Sequence, residues 1–346
     1  MNFIIKNNEP VLISEKKLSA LTSRAFSNVG FNETDADMVA KTLVTTDLMG
    51  ISTHGVLRIE QYLKRVRAGV VQAQPQIEVF DKAPSLAIIH GGTGQGQVVA
   101  NRTLEIAIIK AKKTGIGFIS IGNSNHFGAT APYGLTATSS GVILICGTSA
   151  SPSMAPFGGR EPLLGNNPIG FSTPRKGEAP FILDMALSVA ARGKMRELRI
   201  AGKPMPFDWA LDAEGQPTTD PEQALKGSMA PSGGYKGFGI GLLVEVMAAA
   251  LSGATLGIHA SPFSGTQGGP PRTGQCFLAL SPDAFSSGTF DDRIQALTQS
   301  IATQGEARLP GSRRLGHRQR SESDGVAVDQ SLVDRIHSIT VGNDAQ

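Results

Sequence analysis

The sequence predicts a layered α/β fold of two domains, and three observations carry that reading. From Gln76 onward, short apolar runs of strand length alternate with stretches whose apolar residues recur at helical spacing. At 346 residues the chain exceeds the usual size of one compact core. No strand leads into a complete G-x-G-x-x-G turn, so a Rossmann domain is not expected. The nearest approach, Gly92-Thr93-Gly94-Gln95-Gly96-Gln97, lacks the last glycine, and Gly237-Phe238-Gly239-Ile240-Gly241 fails the same test.

The elements follow in order. The N-terminal stretch to about residue 70 reads as helices, with Asn32 capping toward Asp35 and Gly50 as a stop after Leu48-Met49. A further amphipathic helix is expected from about His54 to Ala68, ended by Gly69. Pro75 then marks a change of character. Ile77-Glu78-Val79 and Leu86 to Ile89 read as strands. Gln97 to Thr114 reads as a helix with Leu104, Ala107, Ile108 and Ala111 on one face and Gly115 as its stop. Strand Ile116 to Ile121, helix Ala131 to Ser139 and strand Val142 to Cys146 come next. Phe181-Ile182-Leu183 is a strand feeding a helix through Lys194. Gly237 to Gly257 contains Glu245 and many small residues, which suits a buried helix rather than a membrane span. Ser261 to Gly274 is a long loop, and Pro310-Gly311 breaks the chain before a closing helix from about Asp329 to Ile339.

Composition narrows the function classes. The 40% apolar and 18% charged content is that of an ordinary globular protein, and a net charge of +3 does not call for nucleic acid. Three Tyr and one Trp offer no stacking platform for single strands. The five arginines between Arg308 and Arg320 read as a solvated loop, with phosphate or subunit contact as the other option. Cys146 and Cys276 lie in apolar runs without metal-ligand spacing, as buried thiols of a reducing compartment do. Met1 to Lys6 lacks the apolar region of a signal peptide, so a cytoplasmic protein is expected. No HExxH, CxxC or clustered carboxylates appear, so no built-in metal site is expected.

The chemistry concentrates in a few places. Thr53-His54-Gly55-Val56-Leu57-Arg58 puts an imidazole and a guanidinium four positions apart where a helix is expected to begin, facing one way. Such a pair suits a small carboxylate, whose two oxygens match the arginine fork. His126, in the polar turn Asn123-Ser124-Asn125-His126-Phe127-Gly128, has a residue type suited to proton transfer at neutral pH, although a turn histidine is often structural. Lys236, between glycines before a long helix, is either an anion site or a surface lysine. Asp184-Met185-Ala186, where a strand passes into a helix, either meets a ligand or merely caps that helix. Ser124 near His126 resembles a serine-nucleophile elbow without its second glycine.

Read together, the blocks Gly50 to Gly69, Asn123 to Gly128, Gly165-Asn166-Asn167-Pro168, Asp184 to Lys194 and Gly234 to Gly241 resemble the malate/L-sulfolactate/L-lactate dehydrogenase family. This non-Rossmann group also includes ureidoglycolate dehydrogenase, diketogulonate reductase and piperideine-2-carboxylate reductase. The resemblance implies an α/β fold with a mixed-sheet cofactor domain and a helical domain built from both chain ends. The expected division is residues 1–72, then 73–300 with an insertion-like segment at 195–232, then 301–346. It further implies a homodimer, NAD or NADP as cofactor, and no nucleic-acid or membrane partner. By position, His126 matches the catalytic acid/base, and Thr53, His54, Arg58 and Tyr62 match the substrate side. Ser149, Asp184, Met185, Ala186 and Lys236 match cofactor-binding segments.

Two departures stand out. Thr53 replaces the family's usual serine, and Leu187 stands before Ser188 where a threonine is common. The expected reaction is hydride transfer between nicotinamide and C2 of a small 2-hydroxy or 2-oxo acid. The alternatives are NADPH-dependent reduction of a cyclic imine acid such as piperideine- or pyrroline-2-carboxylate, a serine hydrolase using Ser124, and a ligand-binding relative without catalysis.

Overall fold

The computed structural model describes residues 10–341, so Met1 to Lys6 lies outside the described residues. The chain runs through β1 (Pro10–Ile13), α1 (Glu15–Ser27), α2 (Glu33–Leu48) and, after two 3₁₀ turns at Ser52–His54 and Val56–Arg58, α3 (Ile59–Arg67). Next come β2 (Glu78–Ala83), β3 (Leu86–His90), α4 (Gly96–Thr114), β4 (Ile116–Ser124), α5 (Ala131–Ser139) and β5 (Ile143–Thr148). β6 (Ile169–Thr173) and β7 (Phe181–Met185) lead to α6 (Arg192–Ile200), β8 (Ala210–Leu211), α7 (Pro221–Lys226) and β9 (Ser228–Met229). After α8 (Tyr235–Glu245) and a π-turn at Val246–Ala250, the chain enters β10 (Thr273–Leu280). It then closes with α9 (Pro282–Ser286), α10 (Phe290–Ala302), α11 (Ser312–Asp324), β11 (Val326–Asp329) and α12 (Gln330–Thr340).

Seven strands form one mixed sheet in the order β2-β3-β4-β10-β5-β6-β7. Only β3 and β4 run parallel, joined by α4 as a crossover helix, and every other neighbouring pair is antiparallel. Residues Leu104 and Ala107 of α4 pack on Ile89, Ile119, Ile121 and Phe277, which fill one face of the sheet. A second core joins the chain ends: Leu18, Phe26, Leu43 and Leu63 share it with Val326, Leu332 and Ile336. The ends also pair directly, Pro10 opposite Asp329 through Ile13 opposite Val326. A smaller cluster, Met195, Met205, Ala210, Ala224 and Met229, holds the segment around α6 and α7 together.

Several expectations hold at the level of single residues. Asn32 Oδ1 accepts the Asp35 amide at 2.9 Å, capping α2. Cys146 and Cys276 are both buried. Others are corrected. No continuous helix starts at His54, because Gly55 (φ −91°, ψ −146°) separates two 3₁₀ turns and α3 begins only at Ile59. His54 and Arg58 therefore do not share a helical face by i,i+4 geometry. Phe181–Met185 does not pass straight into a helix either: α6 begins at Arg192, so Asp184 is a strand residue and not a helix cap.

The arginine-rich segment is mostly helical, as α11, rather than a loop. Its Arg318 pairs with Glu322 at 2.6 Å one turn on, and Leu315 packs beneath. The apolar stretch after Tyr235 is buried on one side only, through Gly241, Val244 and Ala248, while Leu242, Leu243, Val246 and Leu251 lie exposed. Among the described residues, no helix is long and apolar enough to cross a membrane.

Candidate active site

Sheet register brings the candidate residues to one end of the sheet. His90 of β3 lies opposite Gly122 of β4, Ser124 opposite Thr273, Gln275 opposite Thr148, Gly147 opposite Ile169, and Ile169 opposite Met185. His126 follows β4, Ser149 follows β5, and Met185 ends β7, so all three emerge at that edge. Ser188, two residues past Ala186, bridges to Pro231, and Ser232 donates to the Leu187 carbonyl. Those contacts tie the segment leading to Lys236 to the same edge.

His126 is held by its turn. Asn125 donates its amide to the carbonyls of Thr93 (2.8 Å) and Gly94 (3.1 Å), and Gln275 donates to the Asn125 carbonyl at 2.9 Å. A Cβ on Gly96 would lie 2.3 Å from the carbonyl oxygens of Asn125 and His126. The glycine-rich stretch from Gly92 to Gln97 thus lets α4 start hard against the His126 turn. Ser124 is fully buried and accepts from Gln275 at 3.1 Å, so it is not placed as a nucleophile beside His126.

Four of the candidate residues on the N-terminal side meet His126 or each other. The Tyr62 hydroxyl lies 2.7 Å from His126 Nδ1. The His54 ring stacks toward His126 at 5.6 Å between centroids, and Thr53 Oγ1 is 3.1 Å from His54 Nδ1. Arg58 donates Nε to the Thr53 carbonyl (2.6 Å) and Nη1 to Gln61 (2.9 Å). Burial first, then Arg58, lowers the His54 pKa to about 4, so at neutral pH the Thr53–Arg58 turn offers one cation and one neutral imidazole rather than two cations. His126 is likewise held well below its ordinary value, by burial and then by His54, Arg58 and Arg65.

Three further residues were not legible in the sequence. Phe263, from the long loop, stacks on His126 at 4.2 Å. Arg65, 2% exposed, donates to the Phe263 (3.1 Å) and Gly265 (2.6 Å) carbonyls and fastens that loop over α3. Asp47, near the end of α2, accepts the Val56 amide at 2.7 Å and shapes the turn carrying His54 and Arg58. A Cβ on Gly55 would fall 2.0 Å from its carboxylate, which is why glycine stands there. The only available signal was the position of Asp47 just upstream of the Thr53–Arg58 motif.

Burial pushes the Asp47 pKa up to about 7. The folded form then binds this proton more tightly than the unfolded chain, whose carboxyl titrates near pH 4. Stability therefore falls as pH rises from about 4 to about 7, and Asp47 adds no slope above that. Asp47→Asn keeps an acceptor for Val56 and removes the slope. Denaturant titrations should show wild type and variant converging at the acid end, with the variant ahead by at most roughly 4 kcal/mol above neutrality. An unchanged slope in the variant would assign it to another group.

The remaining candidates make no hydrogen bond to His126 among the described residues. Asp184 Oδ2 lies 3.3 Å from Arg314 of α11 and accepts the Ala131 amide at 3.3 Å. Met185 is 37% exposed. The Ser149 hydroxyl accepts the Gly274 amide at 3.0 Å and is buried. Lys236 sits in the first turn of α8, exposed, with no carboxylate partner among the described residues. No cluster of three or more His, Cys, Asp or Glu side chains among the described residues is placed to hold a metal.

Comparison with known proteins places this arrangement. The malate/L-lactate dehydrogenase family profile matches residues 13–337, nearly the whole described chain. The chain belongs to the malate/L-lactate dehydrogenase family. Within that family it is 38% identical over 331 residues to the (2R)-3-sulfolactate dehydrogenase (NADP(+)) of Chromohalobacter salexigens, covering 95% of this chain and 98% of that one. It is 35% identical over 320 residues to the delta(1)-pyrroline-2-carboxylate reductase of Agrobacterium fabrum, covering 90% and 92%. Among solved structures, the sulfolactate dehydrogenase of Methanocaldococcus jannaschii superposes with a TM-score of 0.89 at 32% identity, over 96% of this chain and 97% of that one. The malate/L-lactate dehydrogenase fold, with its seven-stranded mixed sheet, is thus the fold of this chain.

Proposed function

We propose that this oxidoreductase transfers a hydride between C4 of a nicotinamide cofactor, NAD or NADP, and C2 of a small 2-hydroxy or 2-oxo acid. The observation that carries the reading is His126, hydrogen-bonded through Nδ1 to Tyr62 and flanked by Arg58 and Arg65. Neither arginine has a carboxylate partner among the described residues. A proton-transfer group beside unneutralised cations suits an anionic substrate whose reacting carbon bears oxygen.

The roles follow from donor chemistry. Arg58 commits Nε and Nη1 to the turn, while Nη2 carries no hydrogen bond among the described residues and is assigned to the substrate carboxylate. Each charge-assisted hydrogen bond there contributes about 1.5–3 kcal/mol. His54, neutral and supported by Thr53, supplies a further polar contact. His126 exchanges the proton at the C2 oxygen, accepting it in oxidation and returning it in reduction. Tyr62 orients the His126 ring, and Phe263 closes its face against water.

The residues present fit a phosphate-bearing cofactor. Among the described residues Lys236, in the first turn of an eleven-residue helix, has no carboxylate partner and the buried Ser188 hydroxyl has no hydrogen-bond partner, and open space surrounds Gly233. Ser149, Asp184, Met185, Ala186 and Lys236 are assigned to hold it. Hydride exchange at C4 is the chemistry that such a group supplies when bound. In this reading residues 1–72 and 301–346 form the helical domain and 73–300 the cofactor domain. A second copy covers the exposed apolar side of α8, at Leu242, Leu243 and Val246.

The test is a panel: oxaloacetate, pyruvate, malate, lactate, sulfolactate and piperideine-2-carboxylate, each with NAD(H) and NADP(H), followed by absorbance. Turnover of an oxo or hydroxy acid is expected. Turnover of the cyclic imine alone would transfer the assignment to imine reduction, the activity that the Agrobacterium relative is named for. No turnover with any of these acids, by protein shown to bind the cofactor, would overturn it.

A further inference from the structure

Behind His126 lies a file of buried side chains that the reaction as described leaves without a role. Gln95 Nε2 donates to Gln97 Oε1 at 2.6 Å, Gln97 Nε2 donates to the Tyr62 hydroxyl at 3.1 Å, and that hydroxyl lies 2.7 Å from His126 Nδ1. Gln95 and Gln97 are completely buried and Tyr62 is 1% exposed, so bulk water does not compete for these groups.

The file has a direction. A glutamine carbonyl only accepts and its amide only donates, so once Gln97 Oε1 takes the Gln95 amide, Gln97 presents N–H to Tyr62. A phenol that accepts from Gln97 has its single proton left for the imidazole. His126 Nδ1 is then an acceptor, and the ring proton of the neutral form resides on Nε2. The reversed file, with both amides turned over, would make Nδ1–H the donor and Tyr62 the donor to Gln97. The amide orientations in the structure, Gln95 Nε2 on Gln97 Oε1 and Gln97 Nε2 on the phenol, are those of the first arrangement. The titratable and charged groups facing His126 are Tyr62, His54, Arg58 and Arg65. The two guanidiniums oppose protonation of the neutral ring, so the choice lies between its two neutral tautomers.

We propose that Gln97, acting through Tyr62, is a positioning residue that sets the His126 tautomer and so presents Nε2–H to the substrate oxygen. Gln95 in turn fixes which end of the Gln97 amide meets the phenol. The consequence for the reaction rests on the hydride-transfer reading: an Nε2–H donor polarises the C2 carbonyl of an oxo acid. The tautomer itself is independent of that reading and can be read in the substrate-free protein.

The experiment combines long-range proton–nitrogen NMR of histidine-labelled full-length protein with kinetics. His126 is assigned by the loss of its signals in His126→Asn. Wild type is expected to show neutral His126 protonated at Nε2. Gln97→Glu puts an acceptor opposite Tyr62, so the phenol donates to it and His126 should switch to Nδ1–H. The pKa read from kcat/KM against pH should then rise by about one unit, a tenfold change in proton affinity. Reduction and oxidation should change together, because the equilibrium constant fixes the ratio of their kcat/KM values, while a merely structural role would move neither tautomer nor pH profile.

Gln97→Met, of similar shape and without donor or acceptor, should leave His126 as a mixture of tautomers. Wild-type His126 protonated at Nδ1 would overturn the proposal, and this spectrum decides it even where the Gln97 variants do not fold. A folded Gln97→Glu with the wild-type tautomer would overturn it too. Absence of turnover with every acid, alongside the expected tautomers, would overturn only the hydride-transfer reading.

Discussion

His126→Ala is expected to lower kcat by ~10²–10⁴-fold in both directions, the range that a positioned acid–base group contributes. The reason is where the ring sits. It has one nitrogen fixed on Tyr62 at 2.7 Å and one face covered by Phe263 at 4.2 Å, so its remaining edge is what it can offer to the C2 oxygen. KM should change little, because the carboxylate is assigned to Arg58. Single-turnover rates with substrate deuterated at C2 are the check, since an isotope effect shows that hydride transfer is being timed. Near-wild-type turnover with a full isotope effect would remove His126 from the chemistry. The pH profile gives an independent reading. Oxidation requires a neutral ring, and burial together with His54, Arg58 and Arg65 holds the ring neutral to well below the usual histidine range. The kcat/KM of oxidation should therefore stay flat through neutrality and fall only at distinctly acid pH.

How far the site could be read from the sequence differs from residue to residue. The His126 turn is legible because its signal is local: an apolar strand-like run stops at Ile121 and a polar turn begins at Asn123. The caps were local too, as with Asn32 and Asp35. Non-local pairing was not legible. β10 is the last strand of the sheet in sequence, yet it lies at the centre between β4 and β5, and nothing near Cys276 announces those partners. The break in the His54 helix was hidden for a similar reason, since the carboxylate that shapes it belongs to Asp47, nine residues before Val56. In sequence Gln97 reads as the start of a helix and as a missing glycine in a dinucleotide fingerprint, and neither reading reveals its contact to Tyr62, 35 positions away. α11 was taken for a loop because its charged composition has no apolar stripe. A resemblance in motif order supplied what periodicity could not, namely that these distant blocks belong to one site.

Arg58→Ala is the second large effect expected, and it separates binding from chemistry. Loss of one or two charge-assisted hydrogen bonds at about 1.5–3 kcal/mol each corresponds to roughly ten- to 10⁴-fold in kcat/KM. Most of it should appear in KM, because the carboxylate is held alike in the ground and transition states. Some loss in kcat is expected through the scaffold, since Arg58 also supports the Thr53 carbonyl and Gln61, and Gln61 in turn holds the Phe263 carbonyl at 2.8 Å. Arg58→Lys sorts these contributions. It restores a charge but not the planar fork, so it should recover part of the affinity and little of the support for the turn. Gln61→Ala removes the loop support and leaves the charge, and should lower kcat with KM nearly unchanged. If Arg58→Ala bound the acid as tightly as wild type, the anion would have to rest on Arg65. That guanidinium commits Nη1 to the Phe263 and Gly265 carbonyls and Nη2 to Asn125, so the anion would have to use its Nε or its second Nη2 hydrogen.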